Sequence, residues 1–100
     1  MAISAEIIEA CKINQRSAQK VVYEYFFNRM YAVCRRYVKN NEDTLEVLND
    51  GFISLFRNIQ QYKGDGSFEG WVRKIIINKA LDHLKLNKKY KETLKYVEDY

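Results

Sequence analysis

The segment from Tyr62 to Trp71 reads YKGDGSFEGW, and it continues directly into VRKIIINKALDHLK, residues 72–85. Three of the chain's four glycines lie in this segment, namely Gly64, Gly66 and Gly70. Such a cluster interrupts regular structure and permits positive φ angles. Ser67 precedes an apolar series with helical spacing, so its side chain can cap the start of a helix. The pattern predicts a shaped loop followed by a helix from about Phe68 to Lys88.

The length and composition favour a single all-α domain. A chain of 100 residues with 47% hydrophobic residues can bury one modest core without a metal or disulfide. It contains no proline and no long alternation of apolar and polar residues, so the signals of an all-β fold are missing. We expect a compact bundle of about four to five helices over residues 1–100. Residues 1–89 would form its helical core, and residues 90–100 a short last helix or the start of a linker.

Cysteine usage and hydropathy indicate the cellular compartment. Cys11 and Cys34 lie in helical apolar patterns without other Cys or His at metal-ligand spacing, which indicates reduced core thiols and a cytoplasmic protein. No apolar run approaches the about 18–20 residues that span a bilayer, and the N-terminus lacks the apolar segment of a signal peptide. We therefore expect a cytoplasmic location and no association with a membrane.

The net charge of +4 is unevenly distributed along the chain. Residues 62–91 contain eight Lys/Arg against three Asp/Glu, whereas residues 1–61 contain eight against seven and residues 92–100 one against three. A basic block beside aromatic residues is typical of a surface that binds phosphate groups, although a lysine-rich helix is also common as a plain solvated face. Charge alone leaves both interpretations open.

The first part of the chain predicts two helices. Ser4 can cap a first helix with an inward apolar side. The inward residues are Ile7, Ile8, Cys11 and Ile13. Asn14 is expected to cap a longer second helix, whose apolar stripe shifts by one position near Phe26. This shift predicts either a bend or a break near Phe27 and Asn28.

A third helix is predicted from Asp43 or Thr44 to about Gln61. Apolar residues at helical spacing define its core face: Leu45, Leu48, Phe52, Leu55, Phe56 and Ile59. A second face combines Glu46, Asn49, Asp50 and Ile53, with Val47 exposed beside them. Such a patch can dock on a basic partner helix, although acids in a first helical turn also favour the helix dipole without any partner. Gly51 costs about 1 kcal/mol relative to alanine in a helix, which suggests close approach of another backbone.

The helix after the loop has an inward apolar side and a second, polar side. Lys74, Asn78 and Lys85 lie on the polar side, with Asp82 at its edge. An asparagine can both donate to and accept from a base edge, but it can equally satisfy an internal hydrogen bond. Three aromatic residues flank the loop: Tyr62, Phe68 and Trp71. Unpaired bases stack on such rings with about 1–3 kcal/mol per base, whereas aromatic side chains also pack in cores.

The sequence contains no catalytic or cofactor-binding constellation. No nucleophile with a base, no paired carboxylates and no phosphate-binding glycine loop followed by Lys-Ser/Thr occur in it. The single histidine, His83, has no partners at metal or catalytic spacing, which indicates a surface or capping residue. We expect a non-enzymatic protein that uses no metal and no cofactor.

Three runs of sequence resemble one protein family. Residues 49–58 read NDGFISLFRN, residues 62–75 read YKGDGSFEGWVRKI and residues 78–84 read NKALDHL. Together they are similar to bacterial RNA polymerase sigma factors of the extracytoplasmic-function (ECF) group, and the resemblance covers roughly residues 14–89. It implies the second region of these factors, a helical domain that docks on the clamp helices of the RNA polymerase largest subunit. This domain captures the melted non-template strand of the promoter's minus-ten element for transcription initiation.

The resemblance assigns roles to individual residues. The polymerase-binding residues would be Glu46, Asn49, Asp50 and Ile53. The DNA-binding residues would be Tyr62, Lys63, Asp65, Gly66, Ser67, Phe68, Trp71, Lys74, Asn78, Asp82 and Lys85. In this assignment the loop walls a pocket for an extruded base, Asn78 and Asp82 read the edge of that base, and the lysines hold phosphates.

The chain departs from the family pattern at three points, and two other functions stay open. Ile77 stands where a small or basic residue is common, and Asp82 where an amide-bearing residue is common. Residues 1–100 also lack the helix-turn-helix domain that reads the minus-thirty-five element.

An anti-sigma protein is a further candidate partner that the family implies. The other functions are a small duplex-DNA-binding regulator, for which the loop is too long and glycine-rich, and a protein-interaction bundle.

Overall fold

The computed structural model describes residues 3–99, which form a bundle of α-helices. Helix α1 comprises Ala5–Lys12, α2 Arg16–Arg35, α3 Asn41–Asn58 and α4 Phe68–Asp99, and a 3₁₀ turn, Ile59–Gln61, follows α3. No strand occurs among the described residues. The predicted all-α bundle is confirmed.

Capping side chains set where α1 and α3 begin. Ser4 Oγ accepts a hydrogen bond from the backbone N–H of Ile7 at 3.2 Å, as predicted. Asn40 Oδ1 accepts from the N–H of Asp43 at 2.8 Å. Helix α3 consequently begins at Asn41, earlier than the predicted start. A cap of this kind satisfies an otherwise unpaired N–H of the first turn and stabilises a helix by about 1 kcal/mol.

The turn between α1 and α2 differs from the prediction. Asn14 does not cap α2; it has a φ of 61° and occupies the left-handed region, which asparagine tolerates better than most residues. Gln15 is the cap residue, and its side chain makes no capping bond. Ile13 is 77% exposed rather than inward. The turn at Asn14 therefore leaves its neighbour Ile13 outside the core.

The core lies between α2, α3 and α4, and α1 packs against α2 and the 3₁₀ turn. Its members include Val22, Phe26 and Met30 from α2, Leu48, Phe52 and Leu55 from α3, and Val72, Ile76 and Ala80 from α4. Helix α2 passes through Phe27 and Asn28 without a break. Gly51 of α3 faces α4, where the Cα of Ile76 lies 3.8 Å from the point that a Cβ on Gly51 would occupy. The close approach predicted for this glycine is confirmed.

Two residues of α3 have the opposite burial from the one predicted. Val47 is only 5% exposed, whereas Leu45 is 41% exposed. The predicted core position of Leu45 and the predicted exposure of Val47 are both wrong. The reason is that α4 packs along the side of α3 that carries Val47 and Gly51, which turns Leu45 outward. Ile53 is 49% exposed, as predicted.

Helix α4 is longer than the sequence pattern indicated. It begins at Phe68 as predicted, but it continues without interruption to Asp99, so the predicted end at Lys88 is wrong. Residues 71–100 contain neither glycine nor proline, and the extension contains several good helix formers, chiefly Lys and Glu. Every residue in the range 84–99 is exposed. The end of α4 thus extends beyond the bundle in a molecule that measures 58 by 24 by 23 Å.

The two cysteines lie in the core as predicted. Cys11 and Cys34 are buried and free. Burial raises the pKa of both thiols, because the thiolate is poorly solvated in an apolar interior. Both side chains therefore act as small apolar groups.

Candidate nucleic-acid interface

The glycine-rich loop between the 3₁₀ turn and α4 has a defined shape. Gly64 and Gly66 have φ angles of 86° and 78°, which residues with a Cβ rarely adopt. Tyr62 Oη donates to the carbonyl oxygen of Gly66 at 2.9 Å and closes the loop. Ser67 Oγ accepts from the N–H of Gly70 at 2.9 Å, which confirms the predicted cap of α4.

Three predicted DNA-binding aromatic residues form one cluster beside the loop. The ring centroids are 5.1 Å apart for Tyr62 and Phe68, 5.8 Å for Phe68 and Trp71, and 5.6 Å for Tyr62 and Trp71. Phe68 also lies 5.9 Å from Phe26 and is only 8% exposed. Phe68 therefore anchors the loop to the core, and the half-buried Tyr62 and Trp71 are the rings that reach the surface.

An open hollow of about 380 Å³ lies between the loop and α1. One wall consists of loop residues between Tyr62 and Phe68. The other wall consists of Ile3, Ala5, Ile8, Glu9 and Lys12. Lys12 joins the two walls, because its Nζ donates to the carbonyl oxygen of Tyr62 at 2.9 Å. Gln60 Nε2 adds a bond to the carbonyl oxygen of Lys12 at 2.5 Å.

The contribution of α1 to this hollow was missed by sequence reasoning, which assigned the first helix to packing alone. Glu9 and Lys12 lie about 50 positions before the loop, as the separation in the Lys12–Tyr62 bond shows. No local spacing pattern connects residues so far apart. Only the packing of α1 against α2 and the 3₁₀ turn brings them to the loop.

Charged side chains surround the hollow and the start of α4. Lys63 lines the hollow, and Lys63 and Asp65 are both exposed. Glu69 in the first turn of α4 pairs with Arg29 of α2, with 2.6 Å between Oε1 and Nη1. Exposed pairs of this kind contribute only about 0–1 kcal/mol. The pair links the start of α4 to α2 and adds little to stability.

The outer face of α4 carries the remaining predicted DNA-binding side chains. All four are exposed: Lys74, Asn78, Asp82 and Lys85. At about 100° per residue they share a face with Trp71. With a rise of about 1.5 Å per residue, Asn78 lies about 15 Å and Asp82 about 21 Å along the axis from Phe68. Neither Asn78 nor Asp82 lines the hollow between the loop and α1.

A second surface lies on α3 and the facing side of α4. The four predicted polymerase-binding residues are all exposed on α3: Glu46, Asn49, Asp50 and Ile53. Asn49 lies toward α2, where its Oδ1 accepts from Tyr23 Oη at 3.3 Å. Glu46, Asp50 and Asp82 line an open groove of about 310 Å³ between the two helices. Lys79 and His83 are the basic residues in that groove. The groove thus carries three carboxylates, one of them from Asp82, which the sequence assigned to base reading.

His83 connects α4 with the start of α3. Its Nε2 lies 3.6 Å from Asp43 Oδ2 and 3.1 Å from Asn87 Nδ2.

No group of three or more side chains that could hold a metal ion occurs in residues 3–99. None of the helices in this part of the chain is both long and apolar enough to cross a membrane.

The structure is a helical domain in which an aromatic loop leads into a helix with exposed lysines, and an acidic groove lies between α3 and α4. Residues 22–90 match the family model of Sigma-70 region 2. The chain therefore belongs to the Sigma-70 region 2 family, as the resemblance implied. Sigma factors are non-enzymatic transcription initiation factors.

Several curated sigma factors are similar to this chain. The ECF RNA polymerase sigma-E factor of Haemophilus influenzae is 26% identical over 78% of this chain and 41% of its own length. The ECF RNA polymerase sigma factor SigE of Mycolicibacterium smegmatis is 36% identical over 55% of this chain and 21% of its own length. The chain thus spans less than half the length of these relatives.

A solved structure has the same fold. It is the NMR structure of an engineered region 2 of sigmaE in complex with GTAAAA, and it superposes with a TM-score of 0.78 at 19% identity. The superposition covers 84% of this chain and 87% of that chain. This similarity confirms the predicted fold class.

Proposed function

We propose that this domain is the second region of an ECF-type sigma factor, which binds RNA polymerase core and recognises the promoter minus-ten element. Family membership supports this proposal, as does the solved relative that carries GTAAAA. The domain would act in the cytoplasm, where the polymerase and the chromosome are located. An anti-sigma protein would be a regulatory partner of such a factor.

The observation that carries the DNA side of the proposal is the hollow between the loop and α1. A base extruded from the duplex loses stacking and pairing energy of a few kcal/mol. Contact with Tyr62 and hydrogen bonds inside the hollow offset this cost only for a matching base. The strands therefore separate only where the matching base is bound, so that base recognition and strand separation occur together. The neighbouring nucleotides of the non-template strand would then run along the α4 face that carries Trp71 and Asn78.

Basic side chains support the strand by contacts to phosphates. Lys63 stands at the hollow, and Lys74 and Lys85 lie farther along the same exposed face of α4. Each neutralised phosphate of a single strand changes the logarithmic salt slope of binding by about 0.7. Asp65, Gly66 and Ser67 act by shaping the loop that presents these groups.

The polymerase side of the proposal uses the acidic groove. Glu46, Asn49, Asp50 and Ile53 would contact the clamp helices of the largest subunit. An exposed isoleucine within an acidic patch suits a basic amphipathic helix, since the apolar contact supplies affinity and the charges supply orientation. The groove and the loop hollow lie on different parts of the surface, so polymerase and DNA can be bound together.

Fluorescence anisotropy with labelled single strands and matching duplexes tests the DNA side. We expect certain single strands to bind more tightly than their duplexes, and Asn78→Ala to reduce this sequence preference. Asn28→Ala is a matched control, because Asn28 is exposed on α2 and does not line the hollow. Equal, salt-dependent binding of every sequence would contradict the proposal, and a preference for duplex would support the alternative of a duplex-binding regulator.

A further inference from the structure

The polar groups of the hollow are few and are held in place by α1. Glu9 is the only carboxylate among the residues that line it. Glu9 Oε2 lies 3.1 Å from Lys12 Nζ, and the Glu9 side chain is 69% exposed. Its second oxygen, Oε1, accepts no hydrogen bond from residues 3–99. One acceptor is therefore free at the mouth of the hollow.

Lys12 fixes the position of this carboxylate. Its side chain is only 17% exposed, and its ammonium contacts both Glu9 Oε2 and the carbonyl oxygen of Tyr62. An ammonium has three N–H donors, so one remains after these two contacts. Glu9 and Lys12 thus place an acceptor and a donor side by side. The hydrogen bond from Lys12 Nζ to the carbonyl oxygen of Tyr62 holds both of them next to the loop.

A neighbouring acceptor and donor select among the four bases. On the Watson–Crick edge, adenine and cytosine present an exocyclic amine next to a ring nitrogen that accepts, whereas guanine presents its amine next to an N–H donor and thymine has no amine. A carboxylate accepts from the amine and repels the carbonyl oxygen. The ammonium of Lys12, or that of Lys63 on the opposite wall, can donate to the ring nitrogen.

We infer that Glu9 is the specificity-determining residue of the hollow and that the base captured there is adenine or cytosine, selected through its exocyclic amine. This inference rests on the proposed function, in which the hollow receives an extruded base. Lys12 is a positioning residue that orients Glu9 and fixes the loop. Asn78 and Asp82 do not line the hollow, so we assign neither of them to this base.

The test compares single-stranded hexanucleotides in which each position carries each of the four bases in turn. Their equilibrium binding is measured by anisotropy for the wild-type chain, Glu9→Ala and Glu6→Ala. Glu6 is the matched control, because it is an exposed glutamate of α1 that does not line the hollow. Circular dichroism confirms that each variant is folded.

The wild-type chain should prefer adenine or cytosine at one position by about fivefold. At that position, replacing the preferred base by its amine-free analogue, purine or 2-pyrimidinone, should weaken wild-type binding by a similar factor. Glu9→Ala should remove this difference at that position alone, and Glu6→Ala should keep it. The more conservative Glu9→Gln introduces a donor and should admit guanine or thymine at the same position.

Two results separate a failure of this inference from a failure of the proposed function. If Glu9→Ala keeps the full discrimination between the base and its amine-free analogue, Glu9 does not read the base, although sequence-specific capture stands. The same conclusion follows if the wild-type chain prefers guanine or thymine at every selective position. If the wild-type chain shows no sequence preference at all, both the inference and the DNA side of the proposed function are overturned.

Discussion

Gly51 of α3 leaves space for the side chain of Ile76 on α4, and this contact limits how closely the two helices pack. Both residues are buried. A Cβ at position 51 would collide with Ile76 Cδ1. Alanine would gain about 1 kcal/mol of helix propensity over glycine, but repacking an overfilled core costs about 1–3 kcal/mol. The sign of the net change therefore depends on how far Ile76 can move.

A double-mutant cycle separates these two contributions. Ile76→Val removes Cδ1. We expect the change in the free energy of unfolding caused by Gly51→Ala to be about 1 kcal/mol more favourable in the Ile76→Val background than in the wild type. Urea denaturation of the wild type, both single variants and the double variant measures the coupling free energy. Ile75→Val is the control background, because Ile75 is half-buried and is not among the atoms near Gly51. Equal coupling in the two backgrounds would contradict the steric explanation.

Single residues were predictable from the sequence where the interaction is local. The caps by Ser4 and Ser67 use a side chain and an N–H three positions later, so a short window contains both partners. Asn14 looks like a cap of α2 in such a window, but it is a left-handed residue that closes the end of α1, where the N–H of Gln15 donates to the carbonyl oxygen of Ala10. Glu9 gave no signal, because its proximity to the loop depends on the whole fold.

At the level of the helices, the sequence predicted the start of each element better than its face or its end. Helix α3 carries apolar residues on more than one side, so helical spacing alone allowed either Leu45 or Val47 to face inward. The side on which α4 packs decides between them. The end of α4 was misplaced because composition shifts to acidic residues after Lys91, although neither glycine nor proline occurs there to end the helix.

The exposed end of α4 should be separable from the bundle. A proline at position 90 removes a backbone donor and clashes with the preceding turn. Short isolated helices are marginal in water, so we expect Tyr90→Pro to unfold residues 90–99 and to change the free energy of unfolding of the bundle by less than about 0.5 kcal/mol. Far-UV circular dichroism measures the lost helix, and urea denaturation measures stability.

Tyr90→Ala is the control for the loss of the aromatic ring, since alanine preserves the helix. Tyr90 is 67% exposed, so the ring contributes little buried area to the bundle. A loss of about 2 kcal/mol or more in Tyr90→Pro would contradict this expectation, because it would show that the end of α4 stabilises the bundle.

For the whole molecule, the charge distribution along the sequence predicted a basic and an acidic surface, but it did not predict where one ends and the other begins. The basic block in residues 62–91 and the acids in residues 42–50 are visible in the sequence. Asp82 lies within the basic block in sequence, yet it lines the acidic groove, because helix α4 turns one of its sides toward α3. A charge count along the sequence treats residues 62–91 as one basic segment. In a helix, however, the side chains of such a segment point in different directions and belong to two different surfaces.

This separation predicts that the two surfaces can be inactivated independently. Glu46→Lys combined with Asp50→Lys places two cations in the groove beside Lys79. Like charges across an interface cost several kcal/mol. We therefore expect capture of a labelled clamp-helix fragment of RNA polymerase to weaken by at least about tenfold, while binding of single-stranded DNA stays the same or becomes slightly tighter. Anisotropy measures both on the same preparation.

Glu24→Lys is the matched control, because Glu24 is an exposed acid on α2 whose nearest ionic partner is Lys20 at 3.8 Å. It alters the net charge by half as much as the double variant and leaves the groove intact. Unchanged capture in the double variant would place the polymerase contact elsewhere. Parallel loss of capture and of DNA binding would show that the groove and the loop respond as one unit, because α4 contributes side chains to both and can transmit a displacement from one to the other.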